Sequence, residues 1–391
     1  MTDEPENRAL LPAGLHDLLP PDAAHEAAAS ARLLATFAAH GYQQVKPPLV
    51  EFETTLVGAG GNGSLAEDMF RVMDPVSRRM MAVRADMTLQ IARIAQYRLA
   101  RAPRPLRLSY SGPVLSVHAS QLRPEREVAQ AGVELIGSAA VAADVELVLL
   151  ATAALAAVGV TAPTIDLNSP ALVARVLAGT GLDRAEVREL REALDRKDAA
   201  RVRAICGTEA PTAKLLARLV VEAGPAEKVL ATLGGLDMPQ DAAAEVARLA
   251  AVVAGVREAA PDLALTLDPV EYRGFEYQTG VSFTIFAAGV RGELGRGGRY
   301  VTDGGEPATG FTLYLDSILR AVPPPAPARR IFLPAGTSAA AAEALRADGW
   351  ATVADLDGAA DPAAEARRLG CGHLWRDGAA MALAPASEQG R

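Results

Sequence analysis

A carboxylate at position 134 interrupts an apolar run. Glu134 lies between Val133 and Leu135 in the strand-like stretch Val128 to Ile136. Side chains alternate along a strand, so Glu134 faces away from both neighbours and shares its face with Gly132 and Ile136. Such a group either meets a positive part of a ligand or makes a structural contact, at a sheet edge or with a cation such as Arg273. The Gly-rich run Gly295 to Arg299 also has two readings. Its backbone N–H groups would cradle an anion, or it makes a tight strand turn that needs positive φ. His118 has the chemistry of a general base, but no nucleophile stands near it, and an ordinary polar role is the simpler reading. The five histidines, His16, His25, His40, His118 and His373, are scattered without metal-ligand spacing. Gly58, Gly60, Gly61 and Gly63 form a weak G-x-G pattern with no lysine where a phosphate loop needs one. Neither a metal nor any other cofactor is expected.

The elements that must position these groups follow from periodicity and punctuation. Residues 9 to 20 read as a loop, with Pro12, Gly14 and Pro20 as breaks. A helix is expected from about Asp22 to His40, with Ala28, Leu33, Leu34 and Phe37 as its stripe and Gly41 as its cap. A short strand, Tyr42 to Lys46, stops at Pro47-Pro48. The Gly-rich stretch 57 to 66 is a loop near a cleft or a surface turn. Met69 to Met73 and Arg79 to Arg84 flank Asp74-Pro75 and read as a hairpin. Thr88 to Leu99 is helical, Arg107 to Leu115 and Val128 to Ile136 are strands, Val141 to Val158 is an Ala-rich helix and Thr164 to Leu167 a strand. From Pro170 to about Ala260 the pattern is almost purely helical. Strands resume at Leu263 to Leu267 and Gly280 to Ala287, followed by the Gly295 to Gly298 turn and a helix from Phe311 to Arg320. The Pro-rich run Val322 to Pro327 marks a boundary. Beyond it, strand, helix, strand, helix and strand alternate, ending with His373 to Trp375.

The expected fold class is therefore α+β: an antiparallel sheet with flanking helices, a helical insertion and a small C-terminal α/β domain. The boundaries are 1–168 for the first part of the core, 169–261 for the insertion, 262–321 for the second part, 322–328 for the linker and 329–391 for the last domain.

Composition narrows the partners. A chain of 391 residues needs two or three domains, and 50% apolar with 22% charged residues is globular. Lys and Arg number 39 against 47 acidic residues, a net charge of -8, which disfavours a tRNA-sized anion. The most membrane-like stretch, Val145 to Val160, is short and flanked by Asp144 and Glu146, so a core helix is the reading. Met1 to Arg8 is acidic and polar, unlike a signal peptide. Cys206 and Cys371, far apart in sequence, suggest a reducing compartment. A cytoplasmic chain without membrane contact is expected.

Three segments resemble class II aminoacyl-tRNA synthetases, and histidyl-tRNA synthetase in particular. Gly14-Leu15-His16-Asp17, the following helix, Gly41-Tyr42 and Pro47-Pro48 resemble the N-terminus and the dimer-forming first motif. Tyr110-Ser111-Gly112-Pro113-Val114-Leu115 through Gln130-Ala131-Gly132-Val133-Glu134 resembles the second motif. Arg273-Gly274-Phe275-Glu276-Tyr277-Gln278, then Gly297-Gly298-Arg299-Tyr300 and Gly310-Phe311, resemble the histidine signature and third motif. The resemblance covers about residues 10 to 320, and implies a homodimer formed around residues 22 to 52.

The departures fall on one side of the implied site. Ser116 stands where the family places the arginine for the ATP α-phosphate, His118 where it places an acidic residue near adenine, and Ser317 where it places the γ-phosphate arginine. A serine is a neutral donor and does not replace a guanidinium at a phosphoryl transition state. Losing two such arginines removes several kcal/mol, on the order of 10³-fold in rate. With Ser317 in place, the Gly295 to Arg299 run is better read as a structural turn. The amino-acid side is kept. By resemblance, Asp86 receives an ammonium and Thr88 carries over with it, Gln130, Glu134 and Tyr277 belong to the pocket, and Arg273 faces a carboxylate. Glu276 and Gln278 replace an aspartate and a tyrosine of the signature.

A lost ATP site beside a retained amino-acid pocket resembles the regulatory paralogue that partners the short form of ATP phosphoribosyltransferase. This implies a non-catalytic subunit, histidine as effector and a reduced C-terminal domain that does not grip tRNA. A divergent histidyl-tRNA synthetase and another amino-acid-sensing paralogue remain the alternatives.

Overall fold

The structure, a computed structural model, describes residues 10–57, 66–118, 124–178, 180–207, 210–271 and 278–384. The chain divides into two units, Met1–Pro323 and Pro324–Arg391. The strands of the first unit are β1 Gln43–Gln44, β2 Val50–Phe52, β3 Arg71–Met73, β4 Met80–Val83, β5 Leu106–Leu115, β6 Glu127–Ile136, β7 Thr164–Asn168, β8 Gly224–Pro225, β9 Ala264–Leu267, β10 Ser282–Phe286, β11 Gly295–Val301 and β12 Pro307–Tyr314. Nine of them form one sheet in the order β1-β5-β6-β12-β11-β10-β7-β9-β8, and β2-β4-β3 form a small second sheet. The large sheet is antiparallel at its centre and parallel in two outer pairs, β1 with β5 and β7 with β9.

Helix Val141–Val158 forms with the expected bounds and ends on Gly159 in the left-handed conformation. It is apolar and long enough to cross a membrane, but half of it is buried in this unit. Its Leu147, Leu150, Ala151 and Leu155 join Leu33 and Phe37 of helix Asp22–Ala39 and Leu249, Val252 and Val256 of helix Gln240–Ala259 in one core with the sheet. The helices between Pro170 and Ala259 pack into that same core through Leu172, Leu190, Leu216 and Val229.

Two expectations fail in the first unit. Gly295 to Gly298 is not a turn but the start of β11, paired on both sides. A Cβ on Gly297 would stand 2.6 Å from Phe283 Cζ and 2.6 Å from Phe311 Cβ, so the glycine serves close approach inside the sheet. Phe311 to Tyr314 is likewise strand, not helix. β12 runs to Tyr314 and the helix is only Leu315–Ala321. Strand and helix are both buried, so the run of apolar residues hides the change of period.

The second unit holds β13 Arg330–Leu333, β14 Ala351–Ala354, β15 His373–Arg376 and β16 Ala379–Ala382 in the order β14-β13-β15-β16, with helices Ala339–Ala347 and Pro362–Arg368. The last strand carries no β-branched or aromatic signal in its sequence and was not expected. It forms because Asp377 and Gly378 turn the chain back with positive φ. The two cysteines are free.

Candidate functional site

The site is built on the end of the β5–β6 ribbon, which pairs from Leu106↔Ile136 to Leu115↔Glu127. A cleft of about 520 Å³ opens there, lined by residues of β6, β10 and β11, the segment after β4, and the start of helix Leu315–Ala321. Asp86, Gln130, Ser116, His118 and Ser317 all line it. Five expected site positions thus meet in one place, from segments far apart in the chain.

Asp86 is held at the mouth of helix Thr88–Arg93. Its Oδ1 accepts from the Thr88 backbone N–H at 2.8 Å, and its Oδ2 accepts from Gln130 Nε2 at 3.4 Å. Gln130 is only 4% exposed. Its amide oxygen is buried without a hydrogen-bond partner among the described residues. An unsatisfied acceptor of this kind is expensive, and a ligand N–H is one way to satisfy it. Thr88 is buried and contributes its backbone here.

Glu134 is 1% exposed and is not among the lining residues. Its Oε2 accepts from the Tyr300 hydroxyl at 2.8 Å, and its Oε1 from the Tyr110 hydroxyl at 3.4 Å. The Tyr110 hydroxyl also meets Thr312 Oγ1 at 2.8 Å. Gly310 lies opposite Glu134 in register, and a Cβ there would fall 1.9 Å from Oε2, so only glycine leaves room. Burial, and then the nearby Asp86 charge, push the Glu134 carboxyl up to about 8, although Tyr300, Thr88 and Tyr110 pull the other way. Near neutral pH it is mostly a neutral acid.

Arg273, Tyr277 and Glu276 lie outside the described residues. Gln278 is 7% exposed, with its amide oxygen buried and unpartnered among the described residues.

The three positions that would face ATP are occupied as follows. Ser116 exchanges backbone contacts with Arg126: its N–H donates to Arg126 O at 2.8 Å, and its carbonyl accepts from Arg126 Nε at 3.2 Å. The His118 backbone N–H donates to Asp68 Oδ1 at 3.1 Å. Ser317 is 1% exposed and accepts from Arg320 Nη2 at 3.1 Å.

Arg299 does not serve as an anion donor. It grips Asp144 with Nη2 at 2.7 Å and Nε at 3.0 Å, and donates to the carbonyls of Ser138 and Ala140. Asp144 also accepts from Arg248 at 2.7 Å. Both Arg299 and Asp144 are buried, so this pair ties β11 to helix Val141–Val158.

Several lining residues were not singled out from sequence. Arg126 lines the cleft. Its Nη1 donates to Ala13 O, and its guanidinium lies 4.6 Å above the Phe70 ring. Glu271 lines the far wall with Glu293 and Arg296, which pair with each other. Like Glu134, Glu271 follows a valine in the sequence, and that was the available signal. Among the described lining residues Asp68, Asp86, Glu125, Glu271 and Glu293 face only Arg126 and Arg296 as fixed cations. Such a field attracts an ammonium and repels a polyphosphate. Among the described residues no cluster of His, Cys, Asp and Glu is arranged to hold a metal.

The family model for histidyl-tRNA synthetase matches residues 14–318. The ATP phosphoribosyltransferase regulatory subunit of Rhodospirillum centenum is 58% identical over 381 residues, 97% of this chain and 98% of that one. That of Paramagnetospirillum magneticum is 55% identical over 376 residues, 96% and 98% of the two chains. The chain belongs to the ATP phosphoribosyltransferase regulatory subunit family. The fold agrees with a solved structure from Bacillus halodurans C, described as an ATP phosphoribosyltransferase regulatory subunit/histidyl-tRNA synthetase. Its TM-score is 0.80 at 24% identity, covering 94% of this chain and 97% of that one. Membership of the regulatory-subunit family and the synthetase-like α+β fold thus coincide in one chain. In this regulatory-subunit fold, serines rather than arginines stand at positions 116 and 317 of the cleft.

Proposed function

We propose that this chain is the non-catalytic regulatory subunit of ATP phosphoribosyltransferase, acting with the short catalytic subunit in the first step of histidine biosynthesis. It carries feedback by histidine and makes no aminoacyl adenylate. The observation that carries this reading is the charge of the cleft. Ser116, His118 and Ser317 supply no guanidinium, and carboxylates outnumber arginines in the lining. The names of the relatives support the pairing with the catalytic subunit.

In this reading histidine enters the cleft with its ammonium on Asp86 and a donor on the buried Gln130 oxygen. Arg273 receives the carboxylate, and Thr88 and Tyr277 complete the pocket. Glu134 acts from beneath the floor, as a neutral acid that holds Tyr110 and Tyr300 in place. Feedback is then a coupling free energy between this cleft and the phosphoribosyl-transfer site of the partner. The chain is taken as a homodimer through residues 22 to 52, cytoplasmic, with neither tRNA nor membrane as partner. Closed two-fold symmetry is the commonest arrangement of soluble oligomers.

Arg126 and Arg296 favour one second reading, a divergent histidyl-tRNA synthetase, because both place guanidinium groups in the cleft. Arg126 is tied to Ala13 and Ser116, and Arg296 is paired with Glu293. Co-purification with the short catalytic subunit, with phosphoribosyltransferase activity measured with and without histidine, tests the first reading. Histidine-dependent ATP–pyrophosphate exchange tests the second.

A further inference from the structure

Three successive carbonyls of one loop, between β1 and β2, are taken by a single buried segment. Leu49 O accepts from the Arg84 backbone N–H at 3.1 Å, Pro47 O from Arg84 Nη1 at 3.2 Å, and Pro48 O from Gln90 Nε2 at 2.8 Å. Arg84 and Gln90 are both buried, whereas the Leu49 side chain is exposed. The Arg84 carbonyl accepts from the Leu115 N–H at 3.0 Å, and its Nε donates to Pro113 O at 2.8 Å, so the same residue is also fixed to β5. Arg84 Nη1 meets Gln90 Oε1 at 3.5 Å, and Gln90 Nε2 also donates to Glu51 Oε1 at 2.8 Å. Glu51 accepts in turn from Arg93 at 2.6 Å. Both ends of the Gln90 amide are used, which leaves it one orientation.

Asp86 lies between these two residues in the chain. We propose that Arg84 and Gln90 are positioning residues for Asp86: they tie its segment to residues 47–49 and to β5, and so hold its carboxylate where the ammonium of an amino acid meets it. This rests on the reading that the cleft holds an amino acid through Asp86. Neither Arg84 nor Gln90 lines the cleft, so each acts through the segment it holds and not on the ligand.

The link from clamp to carboxylate is short. The Thr88 N–H, at the start of helix Thr88–Arg93, donates to Asp86 Oδ1 at 2.8 Å, and Gln90 belongs to that same helix. Asp86 is therefore set between the Arg84 clamp on one side and an anchored helix start on the other. Gly112 of β5 leaves room for the clamp, since a Cβ there would stand 2.5 Å from Arg84 Nη2. Burial pulls the Arg84 pKa down, and the charges of Glu51 and then Asp86 offset it. Arg84 thus attracts the carboxylate that it positions. A ligand-binding group held in this way is already in place before the ligand arrives, and the ligand does not have to order it.

The test is calorimetric titration of histidine into the full chain, with the melting temperature of each variant measured beside it. Gln90→Met, close in size, removes the amide links and should bind histidine about fivefold more weakly or worse. Arg84→Lys keeps the charge but loses the planar fork, and should do the same. In an Asp86→Asn background neither change should weaken binding further, because the group they position no longer carries its charge. Arg104→Met is the structural control. Arg104 donates to the carbonyls of Ala95 and Leu99 beyond the far end of the helix and pairs with Glu306. Its loss should lower the melting temperature and leave histidine affinity as in wild type. Wild-type affinity in a folded Gln90→Met or Arg84→Lys chain would overturn the role of that residue. Losses that add fully to that of Asp86→Asn would overturn the inference for both. An equal loss in Arg104→Met would show a general loosening and overturn it too. Wild-type affinity in Asp86→Asn, or no histidine binding by wild type, would overturn the reading of the cleft and this inference with it.

Discussion

The Tyr300 hydroxyl donates to Glu134 Oε2 at 2.8 Å across the buried face of the central sheet. A residue of the third-motif resemblance thus holds a residue of the second, and Gly310 of β12 gives the carboxyl its space. The contact holds what reads in sequence as a pocket carboxylate as a buried acid that does not line the cleft.

Stability should therefore depend on pH through Glu134. Burial holds its folded pKa at about 8, above the ordinary glutamate value of 4.5. Such a group contributes stability that is fully present below about pH 4.5 and is lost as pH rises through about 8. Glu134→Gln removes the titration. The variant should gain on wild type across that window, by roughly 2–4 kcal/mol at its upper end. Denaturant unfolding at both ends of the window measures it. A difference that does not change with pH would contradict the buried-acid description.

Gly310→Ala should be strongly destabilising, because its Cβ would fall 1.9 Å from Glu134 Oε2. A loss of about 2–3 kcal/mol is expected from overpacking, visible as a lower denaturation midpoint. Wild-type stability in this variant would mean that Glu134 points elsewhere.

Arg299 should matter for the fold and not for anions. Arg299→Ala leaves Asp144 buried with Arg248 as its remaining partner, and a loss of about 3 kcal/mol is expected. Phosphate or ATP binding by the chain should not change with it. A stable variant with altered anion binding would restore the cradle reading of the Gly295 to Arg299 run.

The purified chain should not catalyse histidine-dependent ATP–pyrophosphate exchange. Ser116 and Ser317 leave the phosphoryl transition state without two fixed cations, on the order of 10³-fold or more in rate. Clear exchange that depends on histidine would show that Arg126 or Arg296 has taken over.

The parts legible in the sequence were those set by local periodicity. Helix Val141–Val158 and strands β5 and β6 carry long, regular signals and lie where expected. β11 is hidden in the sequence because glycines that permit close approach of neighbouring strands look like glycines that permit a turn. β12 and its helix were merged because both bury apolar residues in succession. At the site, Asp86 and Gln130 were legible through the resemblance, and the structure brings them to 3.4 Å. Glu271 was not, because its place in the cleft comes from Asn168, 103 residues earlier, and from the wall that β10 and β11 complete. No short-range pattern carries a contact of that separation.

As a regulatory subunit, this chain should govern phosphoribosyl transfer by its catalytic partner. The most direct measurement is phosphoribosyl transfer by the short catalytic subunit, alone and with this chain added, across a histidine titration. Activity and histidine inhibition should both require the added chain, and Asp86→Asn should shift the inhibition to higher histidine without abolishing assembly. A catalytic subunit that is fully active and equally inhibited by histidine without this chain would contradict the account.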